Sequence, residues 1–138
     1  MDQKLELLRS VPLFAGLAGR ELEEIGRLAE TVDLPAGREL TREGAFGEEF
    51  FVIVEGQADV ERGGQHIRTM GPGDFLGEIA LVDGGVRTAT VRTTGPSRLL
   101  VVGHREFHSL LDRFPKIQLA VLQALADRVR HLEPDAAH

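Results

Sequence analysis

Short β-type segments separated by glycines fill the middle of this chain and restrict its fold more than any other feature. Between residues 31 and 103, short runs of β-branched and large apolar residues alternate with glycine-containing breaks. The run FFVIV at 50–54 is continuously apolar, which predicts that it is the most buried strand of the fold. Gly63-Gly64, between two other runs, predicts a two-residue hairpin turn. The pattern favours a mostly β fold, an antiparallel β-roll or jelly-roll of about eight strands.

Helical patterns flank the β-rich part on both sides. Near the N-terminus, Leu22, Ile25 and Leu28 recur at helical spacing among charged residues. The stretch HREFHSLLDRF predicts a helix after the last β-type run, and Pro115 then favours the first turn of another. We therefore expect a single domain. Its expected parts are N-terminal helices in 1–30, a β-roll in 31–103 and a hinge-and-lid helix pair in 104–133, within one unit of 1–138.

The last predicted helix carries apolar residues in the 3-4-3 spacing of a coiled-coil seam. The residues of this seam are Leu122, Leu125, Val129 and Leu132. The seam has two interpretations, packing on the β-roll of the same chain or pairing with a second copy. The sequence leaves open both the intramolecular packing and a homodimer through the C-terminal helix.

Composition narrows the class of partner and the compartment. The formal net charge of −6 argues against a general nucleic-acid surface, which is normally basic. No apolar run approaches the roughly 20 residues that span a bilayer, and the N-terminal MDQKLELLRS does not resemble a secretory signal. The chain has no cysteine, which excludes disulfides and thiolate metal sites. We expect a cytoplasmic protein without direct nucleic-acid or membrane contact.

A metal-dependent enzyme on a similar barrel, such as a cupin, is the competing class. Its metal site would need clustered histidine and carboxylate ligands. The five histidines form no H-x-H pair, and His104 and His108, four residues apart, lack a third convincing ligand. The serines have no triad context; they include Ser10, Ser97 and Ser109. We expect no metal, no catalytic residue and no enzymatic activity.

The stretch FLGEIALVDGGVRTATV, residues 75–91, carries the most specific chemistry. Glu78 lies in an apolar run, and Arg87 follows nine positions later between glycines and threonines. One helical turn here would expose N–H groups that bind anions, and the guanidinium suits phosphate oxygens. Thr88 and the N–H of Ala89 would add donors. A carboxylate repels phosphate but accepts hydrogen bonds from hydroxyls, so the set describes a sugar phosphate with a free 2′-OH.

In the alternative interpretation, Glu78 and Arg87 form ion pairs inside the protein and bind no ligand. Glu78 and Arg87 would then pair with each other or with Asp83, and the site would be a relic scaffold. Such a buried pair is a doubtful stabiliser, because the cost of desolvation can exceed the attraction.

The same stretch resembles the phosphate-binding cassette of the cyclic nucleotide-binding domain family. That cassette reads F-G-E-x-A-L, a short variable gap, and then R-[ST/A]-A-[ST]-V. The resemblance extends over about residues 5–132, through VPLFAGLAGREL, LPAGRELTREGAFGEEFFVIVEGQADV and the two C-terminal helical stretches. Two details depart from the family: Val86 replaces a frequent proline, and the gap is one residue shorter than in bacterial transcription-factor members.

The resemblance implies a role for each matching position. Glu78 would bind the ribose 2′-OH, and Arg87 would pair with the cyclic phosphate. Further donors around the phosphate would come from Gly77, Ala80, Thr88 and Ala89. The pocket walls would be Ile79, Leu81 and Val91. Candidates for a lid over the base, on the C-terminal helix, are Arg128, Val129 and Leu132.

The resemblance also implies the ligand and the function. A Thr directly after the cassette arginine, here Thr88, serves either the phosphate of cyclic AMP or the guanine amino group of cyclic GMP. We favour cyclic AMP and leave cyclic GMP open; no cofactor is expected. The chain would be a regulatory sensor that transmits binding, through movement of its C-terminal helices, to an unknown effector protein or fused domain. The alternative is a degenerate fold that acts as a ligand-free interaction module.

Overall fold

The computed structural model describes residues 3–11, 14, 16–77 and 86–132, with the side chains of 3, 124 and 127–132 excepted. Within these ranges the helices are α1 (Gln3–Ser10), α2 (Gly19–Leu28), α3 (His104–Arg113) and α4 (Pro115–Leu132). The strands are β1 (Ala29–Leu34), β2 (Glu39–Thr41), β3 (Glu49–Glu55), β4 (Ala58–Arg62), β5 (Gln65–Met70), β6 (Phe75–Leu76), β7 (Thr90–Thr93) and β8 (Ser97–Gly103).

The strands form two antiparallel sheets, which confirms the predicted β-roll with flanking helices. One sheet has the order β1-β8-β3-β6, and the other has the order β2-β7-β4-β5. The β4–β5 hairpin turns at Gly63 and Gly64, as predicted from the sequence. Their φ angles of 60° and 80° are both positive, the conformation that a type I′ turn requires and that glycine adopts at no steric cost.

Strand β3 is buried on both faces of the first sheet, which explains its uninterrupted FFVIV run. Successive side chains of a strand point to opposite faces. Phe50 and Val52 belong to the core that also contains residues of the four helices. Phe51 and Ile53 belong to the core that contains residues of the second sheet. Both faces therefore need apolar residues, and β3 cannot show the alternating pattern of a half-exposed strand.

The C-terminal helices pack on the helical side of this sheet. Phe107 and Leu110 of α3 are buried there, and α4 begins at Pro115 as predicted. The side of α4 that packs on the core carries Ile117 and Val121, both almost fully buried.

The predicted coiled-coil seam is only partly buried against the same chain in the described part of α4. Leu125 packs against the core, whereas Leu122 is 56% exposed. The side chains of Val129 and Leu132 lie outside the described part. The 3-4-3 spacing therefore does not describe the face that packs on the same chain, and the homodimer stays a prediction.

Candidate functional site

Among the residues that the structure describes, Arg87 is the positively charged side chain that is buried. Its side chain lies where the chain enters β7, and the residue is only 5% exposed. The guanidinium donates from Nη1 to the carbonyl oxygen of Gly77 at 3.0 Å and from Nη2 to that of Glu49 at 2.6 Å. Burying a charge is costly unless hydrogen bonds compensate. The two hydrogen bonds compensate part of the cost of burying the Arg87 guanidinium, and they also fix its orientation.

The backbone of Arg87 is also hydrogen-bonded on both its N–H and its carbonyl group. Its N–H donates to the carbonyl oxygen of Ala45 at 2.8 Å, and its own carbonyl accepts from Gly44 N–H at 2.9 Å. A bridge between Phe46 and Val86 extends this pairing by one position. The loop between β2 and β3 thus forms a short antiparallel pair with the residues that lead into β7.

Two glycines leave the space that the guanidinium fills. A Cβ atom built at Gly77 would lie 2.6 Å from Nη1 of Arg87 and 2.7 Å from the Glu49 carbonyl oxygen, and Gly77 has a φ of +96°. A Cβ atom built at Gly47 would overlap Nε, Cζ and Nη2 of the same side chain. At both positions, even a methyl group would require the guanidinium to move.

The residues after Arg87 are tied to neighbouring strands. Buried Thr41 donates its hydroxyl to the carbonyl oxygen of Ala89 at 2.9 Å, and Ala89 itself is buried between the two sheets. Thr88 is exposed, and its carbonyl oxygen accepts a hydrogen bond from Nε of Arg62 at 3.0 Å. Both predicted donors therefore lie directly beside Arg87 on a segment held by β2 and β4.

A pocket of about 440 Å³ opens next to Arg87. Small-molecule sites usually have volumes of roughly 300–1,000 Å³, so the space suits a mononucleotide. Its other walls come from β2 and the loop that leads into β3, and Glu39 lies among them. Hydrogen bonding from Arg42, with a further contribution from Arg92, lowers the pKa of Glu39 below its ordinary value. Glu39 is therefore a carboxylate at neutral pH, so the pocket carries charges of both signs.

Several predicted site residues fall outside the described part of the chain. Glu78, Ile79 and Ala80 are among them, as are Leu81 and Asp83. The lid candidates lie in the helical backbone of α4, but their side chains are also outside it; these are Arg128, Val129 and Leu132. The choice between a ribose contact and an internal pair for Glu78 therefore stays open.

The structure adds three groups that the sequence analysis missed. These are the carbonyl oxygen of Glu49, Gly47, and the hydroxyl of Thr41. A carbonyl acceptor leaves no trace in residue type. The sequence did contain an indication for Gly47. A tight turn at Gly44 does not by itself need a second glycine three residues later.

Metal binding and membrane crossing find no structural support in the described part of the chain. Among these residues, no three His, Asp or Glu side chains come together as metal ligands. His104 and His108 contact each other on α3, with ring centroids 5.0 Å apart and the ring planes tilted by 57°. None of the described helices combines the length and the hydropathy needed to cross a bilayer.

Comparisons with known proteins agree with this geometry. The family model of the cyclic nucleotide-binding domain matches residues 31–114. A cyclic nucleotide-gated potassium channel of Rhizobium etli is 34% identical over 123 residues, which are 89% of this chain and 34% of the channel. A cAMP-dependent protein kinase regulatory subunit of Eremothecium gossypii is 34% identical over 110 residues, 77% of this chain and 23% of that protein.

A solved structure shows the same arrangement of sheets and helices. The catabolite activator protein of Thermus thermophilus superposes with a TM-score of 0.81 at 27% identity, over 91% of this chain and 62% of that one. The chain spans about a third or less of the two sequence relatives. The family expected from the cassette is confirmed: the chain belongs to the cyclic nucleotide-binding domain family.

Proposed function

We propose that residues 1–138 form a single sensor domain that binds a 3′,5′-cyclic mononucleotide in the pocket beside Arg87. The observation that carries this proposal is the buried guanidinium of Arg87, held by two carbonyl oxygens next to a pocket of about 440 Å³. A planar, permanently charged group in a fixed position suits the two exocyclic oxygens of a cyclic phosphate. Membership of the family supports the same ligand class.

Each cassette residue has a proposed role in this complex. Arg87 pairs with the cyclic phosphate, and Glu78 accepts a hydrogen bond from the ribose 2′-OH. The remaining contacts around the sugar phosphate come from Gly77, Ile79, Ala80, Thr88 and Ala89. The base is covered by α4, through Arg128, Val129 and Leu132.

Cyclic AMP is the favoured ligand. The kinase relative is named for its dependence on cAMP, which supports this choice. The hydroxyl of Thr88 serves the phosphate in that case. In a cyclic GMP complex it would contact the guanine amino group instead.

Binding is transmitted through the C-terminal helices. Gly103 precedes α3, and α3 and α4 pack on β3 and β8 from outside the roll. A ligand shifts such an equilibrium only by binding one arrangement more tightly than the other. The receiver is a partner or a fused effector, and a bacterial cytoplasm is the proposed setting. Hydrogen exchange of 104–132 in the full chain should change on addition of cAMP; unchanged exchange with bound ligand would contradict transmission.

Isothermal titration calorimetry of the purified chain tests ligand binding. We expect cAMP to bind with one site per chain and plain AMP, which lacks the ring phosphate diester, to bind far more weakly. Equal affinities for cAMP, cGMP and AMP, or no binding of any of them, would overturn the proposal. The absence of all binding would favour the ligand-free interaction module instead.

A further inference from the structure

We propose that Gly47 is a positioning residue for Arg87, and that its missing side chain forms the slot in which the guanidinium is held for the phosphate. The ligand part of this inference rests on the proposed function. Gly47 lies in the loop between β2 and β3, 40 positions before Arg87 in the sequence, and it has no polar side chain of its own. Its contribution is therefore steric.

The atoms nearest to a Cβ built at Gly47 belong to one side chain. The three nearest heavy atoms to a Cβ built there are Nε, Cζ and Nη2 of Arg87. These atoms form the planar head of the side chain, which has to move as one unit to make room for a methyl group. The head would have to leave its place, and with it the hydrogen bonds to the carbonyl oxygens of Gly77 and Glu49.

Backbone conformation does not require a glycine at this position. Gly47 is not among the glycines with positive φ, unlike Gly77. Replacing glycine by alanine at such a position normally stabilises a protein, because the unfolded chain loses conformational freedom. On backbone grounds alone, alanine would therefore be favoured over glycine at position 47. The neighbouring guanidinium of Arg87 explains why a glycine is needed there.

Gly77 cannot serve as a clean probe of the same slot. A substitution there would strain the backbone at its φ of +96° and would also approach the Glu49 carbonyl oxygen. At Gly47, φ is not positive, and the three atoms nearest to an added Cβ all belong to the side chain of Arg87. Gly71 gives a matched control, since its φ is not positive and a Cβ there has no neighbour within 4 Å.

A double-mutant cycle on the ligand-free chain tests the steric relation. Gly47→Ala should lower the melting temperature of the parent, whereas Gly71→Ala should not. In an Arg87→Ala background the slot is empty, and Gly47→Ala should then leave the melting temperature unchanged or raise it. Arg87→Lys, which keeps the charge but lacks the planar head, gives a second background if Arg87→Ala does not fold.

The same variants separate positioning from a general structural role. Calorimetry with cAMP should show that Gly47→Ala weakens binding by about tenfold or more in the parent and has no further effect once Arg87 is replaced. Equal melting losses in the parent and in the Arg87 variants would overturn the inference, as would parental affinity in Gly47→Ala. A parent that binds no cyclic nucleotide would overturn the proposed function, while the melting cycle would still decide whether Gly47 acts through Arg87.

Discussion

The side chain of Arg87 is hydrogen-bonded to the main chain of Gly77, with 3.0 Å between Nη1 and the carbonyl oxygen. These two residues stand on either side of 78–85, the part of the cassette that the sequence predicts to hold the ribose contact. The second bond of the guanidinium, to Glu49, fastens both ends to the start of β3. An anion that binds Arg87 would therefore contact a group that is hydrogen-bonded to both Gly77 and β3.

Replacing Arg87 should remove most of the affinity for cyclic nucleotides. A hydrogen bond to a charged group contributes about 1.5–3 kcal/mol, so Arg87→Ala should raise the dissociation constant by roughly tenfold to a hundredfold or more. The variant should stay folded but lose about 1–3 kcal/mol of unfolding free energy, because two partly buried carbonyl oxygens lose their donor. Calorimetry with cAMP and urea denaturation measure the two effects.

The control for this variant is Arg68→Ala, at an exposed arginine of β5. It removes the same charge from the protein but should leave both affinity and stability close to the parental values. Similar losses of affinity in the two variants would mean that only net charge matters, and would contradict a specific role for Arg87.

Glu78 should be recognised by its dependence on the ribose 2′-OH. Glu78→Gln should weaken the binding of cAMP, since a charged acceptor is replaced by a neutral one. The loss of affinity on changing cAMP to its 2′-deoxy analogue should be smaller in this variant than in the parent. Competition titrations with both ligands measure the four affinities. Equal losses in parent and variant would show that Glu78 is not the ribose partner.

The hydroxyl of Thr41 should stabilise the segment that follows Arg87. Thr41→Val keeps the shape of the side chain but removes the buried bond to the Ala89 carbonyl oxygen, which is 2.9 Å long. An unsatisfied buried acceptor costs about 1–3 kcal/mol, and urea denaturation should show a loss in that range. Thr94→Val, at an exposed threonine with a 3.4 Å contact, should change stability by less than about 0.5 kcal/mol. Equal losses of unfolding free energy in Thr41→Val and Thr94→Val would contradict a stabilising role for the buried Thr41 hydroxyl.

Two apolar residues of α4 should respond very differently to truncation. Ile117 is 1% exposed, and Ile117→Ala should cost about 2–5 kcal/mol. Leu122 is 56% exposed, and Leu122→Ala should change the stability of a monomer by less than about 0.5 kcal/mol. Urea denaturation measures both values. Should Leu122 instead belong to a homodimer seam, Leu122→Ala would lower the apparent mass in sedimentation.

Local chemistry made much of the roll predictable. The double glycine of the β4–β5 turn determines a hairpin without help from the rest of the chain. The continuous apolar run of β3 correctly indicated a buried strand, and the structure adds that its side chains enter two separate cores. The face of α4 was harder to predict, because its several apolar residues fit more than one stripe and only the position of the sheet selects Ile117 over Leu122.

The site was predictable only where it depends on residue type. Arg87 was identified because a guanidinium in a glycine- and threonine-rich stretch is unusual. Its partners were not, since the carbonyl oxygens of Gly77 and Glu49 are present in any residue and become acceptors only through the fold. Gly47 likewise acquires its role from a contact 40 positions away in the sequence.

Thermal denaturation of the full chain with cAMP, cGMP or AMP shows whether the pocket beside Arg87 binds a cyclic nucleotide, because a ligand that binds only the folded state stabilises it. With cAMP at about a hundred times its dissociation constant, we expect a gain of about 2.7 kcal/mol, seen as a clear rise in melting temperature that AMP does not produce. At the same concentration, Arg87→Ala should reduce this gain to about 1.4 kcal/mol or less, since its dissociation constant is expected to be at least about tenfold higher. No rise with either cyclic nucleotide, or the same rise with AMP, would contradict cyclic nucleotide binding in this pocket.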